Sequence, residues 1–140
     1  MSNFYQLSEE TIDSFEDVFS KKAFPVDTKF QYLGNSKQKR LIEISKINDK
    51  FAFLMEKELL VTINEDIMMA FDDESVNILF EQEIDKITIN LDTGKIKMVK
   101  PDLTTFSSLV TKYGIEKIAK ANNLEELYTQ QKKDAQEDLI

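Results

Sequence analysis

The sequence predicts an α+β domain: a small mixed or antiparallel sheet with a helix ahead of it, another packed against it, and helices at the C-terminal end. Three observations carry that class. Residues 29–33 and 40–47 alternate apolar with polar side chains, and residues 59–64 run almost continuously apolar, as strands do. Ile12, Phe15, Val18 and Phe19, and later Leu103, Phe106, Leu109, Val110 and Tyr113, recur at helical spacing. Residues 87–90 and 95–99 flank Asp92-Thr93-Gly94 as a hairpin flanks its turn.

Taken in order, Ser8 is the expected N-cap of the first helix. Glu9 and Glu10 follow where the helix dipole favours acids, and Phe24-Pro25 ends the run. The first strand stops at Gly34-Asn35-Ser36, and the second has Leu41 out of phase. Phe51-Ala52-Phe53-Leu54-Met55 is apolar and reads as part of a further strand or a packed loop. Residues 59–64 form a strand buried on both faces. Helical character returns over residues 65–71, and Asp72 or Asp73 caps a longer helix from 74 to about 86. Asp102 caps the next helix, which Gly114 closes. Residues 115–121 and 123–133 are further helical pieces. Residues 1–133 make one domain, and 134–140, rich in Gln, Asp and Glu, form a tail expected to fray.

The composition excludes several chemistries. There is no cysteine and no histidine, hence no disulfide, thiolate metal site or imidazole base. The N-terminus lacks the basic start and apolar run of a signal peptide, and no stretch approaches the roughly 20 apolar residues of a membrane span. Net charge is −8, distributed unevenly: residues 21–50 carry +5 and residues 51–94 carry −9. The acidic balance argues against general nucleic-acid binding. A basic edge at Lys37, Lys39, Arg40 and Lys46 is a candidate interaction surface, and the opposite charges of the two segments allow head-to-tail self-association.

The most informative segment is Gln82-Glu83-Ile84-Asp85-Lys86, which has the spacing of H-E-x-x-H without its histidines. In that motif two imidazoles one turn apart hold zinc, and the glutamate activates a bound water. Here the ligand positions hold a neutral amide and a cation. On a helical wheel, Glu83 falls amid the apolar face of Val76, Leu79, Phe80, Ile84 and Ile87, with Asn77, Glu81 and Asp85 opposite and expected in solvent. A carboxylate inside an apolar stripe is costly unless paired. Lys86, one turn away, is its expected partner.

From Phe4 to Gly114 the order of elements resembles the phage metallopeptidase family, a zincin-like group of tailed-phage and prophage proteins. Asn77 to Ile87 is similar to its zinc helix, and Lys100-Pro101-Asp102-Leu103-Thr104-Thr105-Phe106 to its later segment. The resemblance implies that Gln82 and Lys86 replace two zinc histidines, that Glu83 retains the base position, and that the third ligand falls at Pro101 or, with a slip of one, Asp102. It therefore implies a degenerate, inactive site with no metal or cofactor.

Other apparent sites read more simply. Asp92-Thr93-Gly94 is one copy of a motif that aspartic peptidases need twice, and a hairpin turn accounts for it. Asp72-Asp73-Glu74 and Glu56/Glu58 lack the pattern of a Ca²⁺ loop. Glycines at 34, 94 and 114 cannot build a phosphate cradle, and a serine nucleophile would lack a histidine base. The expected function is a non-catalytic virion subunit near the portal or tail, with phage structural proteins or copies of itself as partners. A regulatory or host-directed protein confined to the host cytoplasm is the alternative. A hydrolase built on carboxylate-held metal is the third reading.

Overall fold

The computed structural model describes residues 3–22, 28–90, 92–93, 95–99 and 103–138, with side chains described up to residue 131 except at 103–105. It is α+β, with a four-stranded sheet, a separate two-stranded hairpin and six helices among the described residues. The main sheet comprises β1 (Phe4–Tyr5), β2 (Phe30–Asn35), β3 (Ile42–Lys46) and β4 (Leu59–Ile63), in the order β1-β2-β4-β3. It is mixed: β2 runs parallel to β4, with Phe30 opposite Leu59, while β3 and β1 are antiparallel edge strands. The nearly continuous apolar run expected to be buried on both faces is β4, whose Leu59, Val61 and Ile63 have no exposure.

Local chemistry explains the helices. In α1 (Glu9–Ser20) the Ser8 hydroxyl accepts from Thr11 N–H, as its cap position requires. Phe15 and Val18 project from α1 into the core. α2 (Asp49–Met55) follows β3, and α3 (Glu65–Ala70) follows β4. In α4 (Asp73–Ile84) the Asp72 carboxylate caps Ser75, and those hydrogen bonds hold its pKa below the ordinary value. The hairpin of β5 (Ile87–Ile89) and β6 (Ile96–Met98) leads on to α5 (Leu103–Tyr113) and α6 (Ile115–Asp138). Gly114 joins these helices with φ +87°, the left-handed conformation glycine adopts without a Cβ penalty.

The structure departs from the sequence expectations at several places. Residues 51–55 belong to helix α2, not to a strand or packed loop, and none of its side chains is buried. Asn48 caps Lys50 N–H, Asp49 occupies the first turn, and Glu56 in the left-handed region ends the helix. β2 continues through Gly34, because β1 lies beside it. A Cβ at Gly34 would overlap the Tyr5 ring, and that ring is held by the hydrogen bond from Glu65 N–H to its hydroxyl. The two C-terminal helical pieces are one continuous α6 that extends past Lys133 to Asp138. The expected Phe24-Pro25 stop, the Asp102 cap and the Gly94 turn position lie outside the described residues.

Candidate functional site

α4 packs against α1, β3 and α6, and it carries the two most deeply buried carboxylates among the described residues. Glu83 is 2% exposed. Its Oε1 accepts from Lys86 Nζ at 2.5 Å and from Arg40 Nη2 at 2.6 Å. Its Oε2 accepts from the backbone N–H of Ile44 at 3.2 Å. β3 is an edge strand, and its odd-numbered residues bond toward β4: Asn64 N–H donates to Leu41, and Ile47 donates to Glu58. Ile44 therefore points its N–H to the free edge, where Glu83 satisfies it. Charge pairing and edge capping together stabilise a carboxylate that burial alone would penalise.

Glu81 falls on the other side. The expectation that it is solvated is wrong: it is 2% exposed and receives Lys112 Nζ at 2.7 Å and Lys22 Nζ at 3.5 Å. Burial pushes its carboxyl up, but hydrogen bonds from Lys112 and Tyr113 and the Lys22 charge outweigh burial and hold the pKa below the ordinary value. Asp85, also expected in solvent, is half-buried and pairs with Lys22 at 3.0 Å. The wheel fails here because Lys22, just past the end of α1, and Lys112 of α5 reach this side of α4 and meet the acids there.

The degenerate motif does not keep helical geometry throughout. α4 ends at Ile84, Asp85 is its C-cap, and Lys86 lies in the turn before β5. Lys86 nevertheless reaches Glu83, the pairing expected from the sequence. Gln82 is half-buried, and Pro101 and Asp102 lie outside the described residues. A depression of about 370 Å³ opens over the cluster, lined by Arg40, Glu43, Ile44, Ser45, Glu83 and Lys86 with the end of β6. These residues do not fit a zinc ion: a guanidinium and an ammonium occupy the carboxylate, and neither can donate a lone pair to a metal. Among the described residues no three His, Cys, Asp or Glu side chains converge as ligands. Asp72 and Glu74, two of the acids weighed as a Ca²⁺ loop, pair with Lys120 and Lys117.

The basic edge is divided by the fold. Lys37 and Lys39 are exposed, Lys46 pairs with Asp49 at 3.6 Å, and Arg40 is drawn inward to Glu83. Sequence reasoning missed Arg40 as Glu83's partner, and missed Glu125 altogether. Glu125, on α6, accepts the backbone N–H of Leu41 at 2.6 Å and faces Arg40, Glu83 and Lys86. Nothing in its local sequence marks it, because the strand it caps lies 84 residues away.

Burial raises the Glu125 pKa, and the nearby Glu83 charge adds to this, against the lowering effects of the Leu41 hydrogen bond and of Arg40 and Lys86. The folded protein therefore binds this proton more readily than the unfolded chain. The contribution favours folding below the ordinary carboxylate pKa and is lost as pH rises through the folded value. Glu125→Gln keeps an acceptor for Leu41 and removes the buried charge. Urea midpoints compared from about pH 4 to about pH 8 are expected to show the variant gaining on the wild type as pH rises. A gap independent of pH contradicts the assignment.

A family model described as "Putative phage metallopeptidase" matches residues 2–131. The chain belongs to that family, and its association with phage follows from that membership. Comparison with curated proteins and with solved structures gives no match. Among the described residues no helix is long and apolar enough to cross a membrane.

Proposed function

We propose that this protein is a non-catalytic interaction protein of a tailed bacteriophage, a particle subunit near the portal or tail that uses a metallopeptidase-family frame without its chemistry. The observation that carries the reading is the state of Glu83. A general base needs a free lone pair aimed at a water, within hydrogen-bond reach of the proton it takes. Both oxygens of Glu83 are instead committed to Arg40, Lys86 and Ile44. The absence of histidine removes the imidazole ligands that family resemblance leads one to expect. The carboxylate has become an internal fastener between α4 and the β3 edge.

Titration with Zn²⁺ by calorimetry is expected to give no saturable binding, and peptide hydrolysis is expected to be absent with or without a chelator. Stoichiometric metal uptake with chelator-sensitive proteolysis that Glu83→Gln abolishes would overturn the reading in favour of a hydrolase. Quantitative proteomics of purified particles tests the rest: the protein is expected there at a fixed ratio to the portal or tail. Abundance only in infected cytoplasm makes it a regulatory or host-directed protein instead.

A further inference from the structure

The outer edge of β2 is only partly covered. β1 pairs with Asn35 and Gly34 and then diverges, and among the described residues no strand neighbours residues 30–33 on that side. Two independent hydrogen-bond patterns fix which groups face outward. Lys29 O accepts from Glu58 and Leu59, so the odd-numbered residues bond toward β4. Ser36 N–H donates to Asn3 O on the β1 side, so the even-numbered residues face that edge. Phe30 and Tyr32 therefore present their main-chain N–H and C=O outward, about 7 Å apart as alternate strand residues are. The Tyr32 carbonyl takes only a 3.4 Å contact from the Gln31 side-chain amide.

A groove of about 490 Å³ runs along this stretch, with Leu7, Ile12 and Phe30 supplying apolar wall and Lys29 and Lys57 lining it as cations. Glu16, the acid in the groove, is engaged by the Tyr32 hydroxyl at 3.1 Å. Neither lysine has an ion-pair partner among the described residues. Thr28, 9% exposed, also lines the groove, and its hydroxyl is without a hydrogen-bond partner among the described residues.

We propose that this half-open β2 edge docks an extended, acidic segment of a partner protein, which pairs with Phe30 and Tyr32 as an added strand and places its carboxylates near Lys29 and Lys57. Alternating donors and acceptors at strand spacing are matched by a peptide backbone, whereas a free anion or a nucleic acid offers no such ladder. A second copy docked β2 edge to β2 edge would gather its own Lys29 and Lys57 into the same seam, and like charges oppose that pairing. The site lies across the sheet from β3 and Glu83 and stands apart from the reading given above.

The test uses the full chain, ¹⁵N-labelled, with a capped six-residue peptide alternating valine and glutamate, and its lysine counterpart as control. The glutamate peptide is expected to slow amide exchange of Phe30 and Tyr32 at least tenfold while Gln31 and Leu33, already bonded to β4, change little. Lys29→Glu combined with Lys57→Glu, both outside the core, is expected to weaken binding at least tenfold with the exchange pattern of the rest of the sheet unchanged. Several outcomes overturn the proposal: no alternating protection, equal binding of the lysine peptide, or undiminished binding by the double variant. Concentration-dependent protection of Phe30 and Tyr32 without peptide would assign the edge to self-association and overturn it too.

Discussion

Phe15→Ala is expected to lower folding stability by about 3–5 kcal/mol, the largest loss from any single substitution considered. Phe15 has no exposed surface and joins three elements of the core. Its ring meets Phe30 at 5.3 Å and Phe80 at 5.7 Å edge-on, Tyr32 at 5.9 Å, and Phe19 at 6.3 Å in a stacked pair. Removing it loses the transfer free energy of the ring and leaves a cavity that helix α1, sheet strand β2 and helix α4 cannot all close together. Since domains of this size are stable by only about 5–15 kcal/mol, the variant should melt roughly 12 °C lower. Phe53→Ala supplies the control: Phe53 is 83% exposed on α2, and its loss is expected to stay within about 0.5 kcal/mol. Thermal unfolding followed by circular dichroism measures both. Equal effects would mean that the core does not centre on Phe15.

The contrast between those two phenylalanines also shows what the sequence could and could not reveal. Phe15 was legible because it recurs with Ile12, Val18 and Phe19 at helical spacing, and periodicity reports which face is buried. Residues 51–55 carry no period, so an apolar run there pointed to burial, whereas local capping by Asn48 makes an exposed helix. The β1 strand is two residues long and exists only because Gly34 lets Tyr5 approach, a tertiary fact with no local pattern. For the site, the H-E-x-x-H spacing located Glu83 and suggested Lys86, since both lie within one turn. Arg40 and Glu125 reach the cluster from a strand edge and a distant helix. Long-range pairing of charged side chains leaves no periodic trace, which is also why a helical wheel places Glu81 in solvent although it is buried beside Lys22 and Lys112.

Glu83→Ala is expected to cost about 3 kcal/mol, near the lower end of what breaking a buried ion pair costs, because Arg40 and Lys86 keep partial solvent access. Three groups lose their partner together: a guanidinium, an ammonium and the Ile44 N–H at the β3 edge. Glu83→Gln retains an acceptor for Ile44 but not the charge, so it should fall between wild type and the alanine variant. The direction of the effect separates two roles for the same residue. A catalytic carboxylate is held in its site at a cost to the fold, and its replacement is commonly neutral or stabilising. A structural carboxylate gives the opposite sign. A double-mutant cycle with Arg40→Met, measured by urea denaturation at neutral pH, should return a coupling of about 1–3 kcal/mol. With Glu83 already alanine, Arg40→Met is expected to be nearly neutral or stabilising, since it then removes a cation with no counter-charge at that position. If Glu83→Ala leaves the midpoint unchanged or raises it, the carboxylate is not a fastener and its burial requires another explanation.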